Sequence, residues 1–191
     1  MGTDILGFLE YQQPHNRGYD CWASKIALPR DYLWFALLAG VRNSFGVTPD
    51  VAPRGLPPQT SLPVLEQFFV TVIPDGVAAT DPRGTFREIH ASTAAAWRQL
   101  RPSLWETDLD AVGPHFPTPD HTPLLQNVDW HTPSWLTLAE LEAVRIRYRD
   151  LCPAYPGWAT RRDIPDLAAA LMGAMHALPQ SRFVFWFDQF I

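Results

Sequence analysis

The sequence predicts an α+β fold in a single domain over residues 1–191. Apolar segments at both ends of the chain have the composition of β-strands, whereas several segments between them repeat apolar residues at helical spacing. A chain of 191 residues, 47% of them hydrophobic, can bury a core without disulfides or metals. The 19 prolines indicate long loops, because proline interrupts helices and central strands.

The terminal segments are predicted to be neighbouring strands. The first reads TDILGFLEY (residues 3–11), and the last reads SRFVFWFDQFI (residues 181–191). The last one is apolar on both alternating faces, which is typical of a central strand covered on both sides. We therefore expect the two strands to pair in one mixed or antiparallel sheet that several helices cover.

Helices are predicted in the first half of the chain from capping residues and spacing. RDYLWFALLAGVRN has Asp31 as N-cap and Gly40 or Asn43 near its end. VLEQFFVTVIPDG is ambiguous, because its later residues alternate like a strand. ASTAAAWRQLR predicts a short helix capped by Ser92 or Thr93.

A long irregular, proline-rich insertion is predicted at about residues 102–133. Loops of this length within a compact domain are usually functional or disordered. Directly after it, Thr137 and Glu140 form a capping-box pattern, which predicts a helix from Thr137 to about Arg149 or Asp150. A last helix is predicted after Asp163, with an apolar stripe at Leu167, Leu171, Met175 and Leu178.

Charge and composition argue against several classes of protein. The net charge is -5, and Lys25 is the single lysine among 15 basic residues, so no nucleic-acid partner is expected. Cys21 and Cys152 have no metal or redox spacing, which indicates thiols in a reducing, cytoplasmic compartment. We expect no signal peptide and no membrane segment, because no basic leader or apolar run of about 20 residues occurs.

Five pieces of the chain, in order, carry a resemblance to a known family: MGTDILGFLE, RDYLWFALLAGVRN, PRGLP, DWHTPSWLTLAEL and FVFWFD. Together they resemble a family of small proteins encoded by bacteriophages and bacteria. Those proteins typically begin with Met-Gly-x-Asp-Ile-His, carry a Leu-Ala-Gly-Val-Arg-Asn helix and end on Phe-Asp-Asn.

The resemblance implies positions and no reaction. It draws attention to Asp4, Arg42, Asn43, Arg54, Gly55, His131, Ser134, Trp135 and Asp188. The chain departs from the family pattern at Leu6, where the opening histidine would stand, and also at Thr132 and Gln189. The segment 68–127 is outside the resemblance.

Asp129 and His131, two residues apart, are the first candidate site. They could bind a metal with nearby His115, Asp120 or His121, or the carboxylate could orient the imidazole for general-base catalysis. The alternative is that both only hydrogen-bond the loop backbone ahead of the helix. The spacing matches no established metal motif, and no motif names a cofactor.

Asp4 and Asp188 are the second candidate, because pairing of the terminal strands would bring both carboxylates to one sheet edge. Buried charges need partners, and Arg42 and Arg54 are the expected counter-charges. The group is either a structural salt bridge or a pocket for a phosphate or carboxylate ligand. In the second case, His131 and Ser134 would face a polar cleft shared with Arg54 and one of the two carboxylates.

Two functions remain open from the sequence. The first is a binding or interaction module of phage or prophage origin, with a small anionic ligand or a protein as partner. The second is a small hydrolase-like enzyme acting on a nucleotide-like or other anionic metabolite through His131, Asp129 and the arginines. We favour the first, because no nucleophile–base pair or phosphate loop is recognisable. The sequence does not indicate the oligomeric state.

Overall fold

In a computed structural model of the protein, the residues described are 3–15, 18–22, 25–78, 86–108, 123–159 and 163–188. The chain divides into two compact units. The first comprises Met1–Pro57 and His131–Ile191, and the second comprises Pro58–Trp130. The organisation as a single domain stays a prediction.

The described residues form nine strands and five helices. In chain order they are β1 Ile5–Gln12, β2 Tyr19–Cys21, β3 Ile26–Leu28, α1 Tyr32–Ala39, α2 Leu62–Phe68, β4 Phe69–Ile73, β5 Arg87–His90, α3 Ala91–Leu100, β6 Glu106–Asp108, β7 Pro123–Gln126, β8 Trp130–Thr137, α4 Leu138–Leu151, α5 Ile164–Ala177 and β9 Arg182–Asp188. A 3-10 helix, Cys152–Ala154, follows α4.

The first sheet has the order β2-β1-β9-β8, and β3 also pairs with β1. Strands β1 and β9 are antiparallel, with a register that runs from Ile5 opposite Phe187 to Glu10 opposite Arg182. The predicted pairing of the two terminal strands in one sheet of an α+β fold is confirmed.

Strand β9 is buried along its whole length, as its apolar composition predicted. Its residues Phe183, Phe185 and Phe187 belong to the same core cluster as residues of α1, α4 and α5. On the opposite face, Trp186 is fully buried and stacks on Phe8, with the ring centroids 5.7 Å apart. The prediction of a central strand covered on both faces is confirmed.

Two predicted helix starts are also confirmed. Asp31 caps α1, and its Oδ1 accepts a hydrogen bond from the Trp34 amide over 2.9 Å. Thr137 caps α4 with a complete capping box, in which Thr137 Oγ1 accepts from the Glu140 amide and the Glu140 carboxylate accepts from the Thr137 amide. Both signals are local, because they depend on residues within one helical turn.

The predicted apolar stripe of α5 is confirmed at Met175, Leu171 and Leu178, which are buried or packed partly buried against the core cluster, and is wrong at Leu167. The buried residues are Ile164, Ala168, Met172 and Met175, whereas Leu167 is 39% exposed. Further apolar residues lie beside this stripe, so the hydrophobic pattern alone does not determine where its edge falls.

The second unit has a mixed sheet of order β5-β4-β7-β6, in which β4 and β5 are parallel and the other pairs antiparallel. The segment that was ambiguous from sequence is helix α2 followed directly by strand β4. The predicted cap of α3 is wrong: the N-cap is His90. Ser92 lies in the first turn, where its amide and hydroxyl donate to Asp75.

The segment predicted to be irregular at 102–133 contains β6, β7 and the start of β8 within its described residues. Residues 109–122 and 189–191 lie outside the described residues. In the described part of the chain, no helix is long and apolar enough to cross a membrane.

Candidate functional site

Asp4 and Asp188 meet at one edge of the first sheet, as the sequence predicted. The Asp4 amide donates to Asp188 Oδ1 over 2.6 Å, and the Asp188 amide donates to the Asp4 carbonyl over 3.0 Å. The register of β1 and β9 explains this meeting, because it places the two residues one step beyond Ile5 and Phe187. Thr3, Asp4, Arg30, Arg42 and Asp188 are called the sheet-end cluster below.

The counter-charge of Asp4 is Arg30, and the prediction that Arg42 or Arg54 would fill this role is wrong. Arg30 binds the Asp4 carboxylate in a bidentate manner, with Nε on Oδ1 and Nη2 on Oδ2, the latter over 3.0 Å. The hydrogen bond with Asp4 raises the pKa of Arg30, so the guanidinium stays charged at every physiological pH. Arg30 follows β3, which pairs with β1 and thereby brings this arginine beside Asp4.

Arg42 also belongs to the cluster, but its partner is a neutral group. Its Nε donates to the hydroxyl of buried Thr3 over 2.9 Å, and the residue is exposed. Arg42 has φ 55°, which is uncommon for a residue other than glycine and costs backbone free energy. The cluster therefore includes an exposed cation, Arg42, and the described contacts give it no carboxylate partner.

Arg54 is held in a separate structural arrangement. Its guanidinium binds the two Glu140 carboxylate oxygens over 3.0 and 2.8 Å, donates to the Trp135 carbonyl, and lies 3.6 Å above the Trp135 ring. The backbone amides of Arg54 and Gly55 donate to Ser134 Oγ and to the Pro133 carbonyl, over 3.4 and 3.1 Å. These contacts attach the PRGLP loop to β8 and to the start of α4.

Glu140 is thereby shared between the capping box and Arg54. Burial of its carboxyl group raises the pKa, but the hydrogen bonds from Arg54 and Thr137 lower it by more, so the net shift is downward. The carboxylate is ionised at neutral pH, which suits its position in the first turn of a helix.

His131 lies at the start of β8, with its ring stacked on Phe187 at a centroid distance of 5.8 Å and an interplanar angle of 25°. Its Nδ1 is 2.9 Å from the hydroxyl of Thr132. Thr132 has φ 50°, so a second strained residue accompanies this strand start. Phe187 directly precedes Asp188, which belongs to the sheet-end cluster. His131 therefore packs against the residue beside this cluster.

Asp129 lies in the second compact unit, on an exposed turn, whereas His131 belongs to the first. The Asp129 amide donates to Asn127 Oδ1 over 3.2 Å. Its carboxylate favours the charged form of Arg101, whose pKa is lowered by burial. The described contacts thus support the alternative in which Asp129 serves its own loop.

The metal hypothesis receives no support from the residues that the structure describes. Among them, no group of three or more histidine, cysteine, aspartate or glutamate side chains could hold a metal ion. The other candidate ligands, His115, Asp120 and His121, lie outside the described residues.

The structure contains a buried ion pair that the sequence analysis did not predict. Glu10 is fully buried and accepts from Arg182 Nε over 2.7 Å, and the guanidinium lies 3.5 Å above the Tyr19 ring. The signal was present, because the register that brings Asp4 to Asp188 also places Glu10 opposite Arg182. Both charges are compensated, so we interpret this pair as structural.

A second missed group links α1 to α4. The Tyr148 hydroxyl donates to Asp31 Oδ2 over 2.8 Å, and both residues are 1% exposed. Cys152 lies one turn after Tyr148 and is half-buried. Nothing in their sequence separation of 117 residues predicts that Asp31 and Tyr148 meet.

Comparison with family models gives no match. Neither the curated proteins nor the solved structures include one with significant similarity to the chain. The resemblance to phage and bacterial proteins therefore stays a prediction.

Proposed function

We propose that the protein is a binding module, and that the sheet-end cluster receives an anionic group from a small ligand or a protein partner. The observation that carries this proposal is Arg42. It is an exposed guanidinium whose described hydrogen bond is to a neutral hydroxyl, and its backbone is held in a strained conformation. Arginine so placed has donors that suit a phosphate or carboxylate.

Hydrogen bonds also hold several groups of the cluster in place, which favours a binding site. Thr3 is buried, and Arg30 holds the Asp4 carboxylate with two bonds. The Asp4 amide donates to the Asp188 carboxylate, and the Asp188 amide donates to the Asp4 carbonyl. A ligand at Arg42 would meet groups that are already ordered, so little conformational entropy would be lost on binding.

The enzyme alternative is less well supported. It required Arg54 to converge with His131, Asp4 and Asp188, but the Arg54 guanidinium is engaged by Glu140 and Trp135. Asp129, its second catalytic candidate, hydrogen-bonds its own turn. Origin from a phage or prophage and a cytoplasmic location are parts of the same proposal, which rest on the sequence resemblance and on the two thiols.

The test is calorimetric titration of the protein with pyrophosphate. We expect saturable binding that weakens with added salt and falls by about tenfold or more in Arg42→Gln, because charged hydrogen bonds are lost. Arg87→Gln is the matched control: Arg87 is an exposed arginine of β5, and its loss removes the same charge. Equal affinity of both variants would contradict the proposal.

Turnover is measured alongside binding. Hydrolysis of p-nitrophenyl phosphate by the wild-type protein that disappears in His131→Gln would favour the enzyme alternative over the binding module. Binding of pyrophosphate without turnover supports the module.

A further inference from the structure

An open pocket of about 490 Å³ lies where α4 ends, far along the chain from the sheet-end cluster. Its volume is within the range of small-molecule sites, which are mostly apolar concavities with a few polar groups. The lining is rich in rings, and it includes Tyr148, Cys152, Pro153, Pro156 and Pro165. All of these residues belong to the first compact unit.

Two polar side chains of the wall, those of Tyr148 and Cys152, are uncharged at neutral pH. Burial, together with the hydrogen bond to Asp31, raises the pKa of the Tyr148 hydroxyl. Burial likewise raises the pKa of the Cys152 thiol, which therefore stays protonated. The negative charge of Asp31 is held by two donors, the Trp34 amide and the Tyr148 hydroxyl. An anion entering the pocket would thus meet neutral groups at Tyr148 and Cys152.

Of the described residues that line the pocket, Arg149 carries a charge. Its side chain is 66% exposed, and its described ion pair is with the neighbouring Asp150 at 3.5 Å, itself 62% exposed. Such exposed pairs contribute little free energy, so the guanidinium can turn to a ligand at small cost. Among the residues that the structure describes, the pocket therefore combines apolar rings with an available cation, Arg149.

We propose that this pocket binds a small aromatic carboxylate. The aromatic ring would pack among the rings of Pro153, Pro156 and Pro165, because a flat apolar group matches flat apolar walls. The carboxylate would bind Arg149 at the rim, where the planar guanidinium can donate two hydrogen bonds to its oxygens. The site and the ligand class are independent of Arg42 and of the sheet-end cluster.

The test uses 2-naphthoate as probe, with 2-naphthamide and acetate as comparisons. Calorimetry should show saturable binding of 2-naphthoate, with 2-naphthamide about tenfold weaker because it lacks the charge, and acetate weaker still because it lacks the ring. No saturation by 2-naphthoate, or equal affinity for the amide, would overturn the proposal.

Variants locate the ligand. Arg149→Gln should weaken the affinity for 2-naphthoate by about tenfold and leave the affinity for 2-naphthamide unchanged. Arg87→Gln should change neither affinity. Arg149 is exposed, so its replacement does not endanger folding. Ala159→Leu, at another lining residue, should weaken both ring ligands by filling the pocket. If Arg42→Gln lost 2-naphthoate binding and Arg149→Gln kept it, the ligand would lie at the sheet-end cluster and the inference would be overturned.

Discussion

At Gly7, the middle of β1 passes close to the aromatic ring of Phe183. A Cβ at this position would lie 2.6 Å from Phe183 Cζ and 3.0 Å from the Val184 carbonyl oxygen. The Phe183 ring cannot retreat easily, because it is fully buried and stacked on Phe185 at 5.4 Å. Glycine is therefore needed here for close approach, in a strand where it would otherwise be unfavourable.

We expect Gly7→Ala to lower the free energy of unfolding by about 1–3 kcal/mol through overpacking. Urea denaturation measures the loss. Gly157→Ala is the matched control, because a Cβ at Gly157 would meet nothing within 4 Å. Adding Phe183→Leu to Gly7→Ala should recover part of the cost of Gly7→Ala by making room. Equal denaturation midpoints for the two alanine variants would show that the strand tolerates the extra carbon.

Glu140 gives a prediction of pH dependence. Its pKa in the folded protein is lowered, so its contribution to stability is present above the unfolded-state pKa of about 4.3. That contribution is lost as the pH falls through the lower, folded-state value. The difference in unfolding free energy between the wild type and Glu140→Gln should therefore be largest at neutral pH and shrink in acid.

Urea denaturation at a series of pH values from neutral to about pH 3 measures this difference, over a range that covers the glutamate titration. Glu142→Gln, at an exposed position two residues along the same helix, is the control. A difference for Glu140→Gln that stays constant with pH would mean that Arg54 and Thr137 do not favour the ionised carboxylate.

At the scale of elements, the start of α4 tests whether the capping box stabilises the fold. Thr137→Ala removes the hydroxyl that accepts from the Glu140 amide and donates to the Glu140 carboxylate. We expect a loss of about 0.5–2 kcal/mol in unfolding free energy. Thr48→Ala changes an exposed threonine that contributes its carbonyl to a contact with Arg147 and is the matched control. An unchanged midpoint for Thr137→Ala would argue against the cap.

Helices α1, α4 and α5 differ in how far local sequence determined them. The starts of α1 and α4 were predictable, because each N-cap satisfies backbone donors within the next turn. The core stripe of α5 was predictable except at Leu167, because apolar residues also lie beside the stripe and the packed neighbours decide where its edge falls. The cap of α3 failed for a related reason, since Asp75 from a preceding turn supplies the acceptor for Ser92.

At the scale of the whole molecule, the two compact units raise the question of cooperativity. The chain enters the second unit after Pro57 and returns to the first at His131, so the second unit is an insertion in sequence. The prediction of a single domain implies one unfolding transition. Core truncations in the two units test it: Val70→Ala in β4 of the second and Phe185→Ala in β9 of the first.

We expect both variants to shift the same transition to a lower denaturant concentration. The free energy of unfolding should fall by about 3–5 kcal/mol in Phe185→Ala and by less in Val70→Ala, because valine is smaller. Far-ultraviolet circular dichroism and tryptophan fluorescence should give coincident curves. Two transitions, each moved by one variant only, would establish two domains.

The sequence by itself determined the pairing of the terminal strands and the meeting of Asp4 with Asp188. Apolar composition selects the strands, and their hydrophobic pattern sets the antiparallel register, which runs from Ile5 opposite Phe187 and places Asp4 beside Asp188. Tertiary structure alone decided which arginine binds which carboxylate. Arg30 reaches Asp4 because β3 pairs with β1, and Arg54 binds Glu140 because its loop is bonded to β8. Such contacts join residues 26 to 86 positions apart, and no local pattern encodes the backbone path that brings them together.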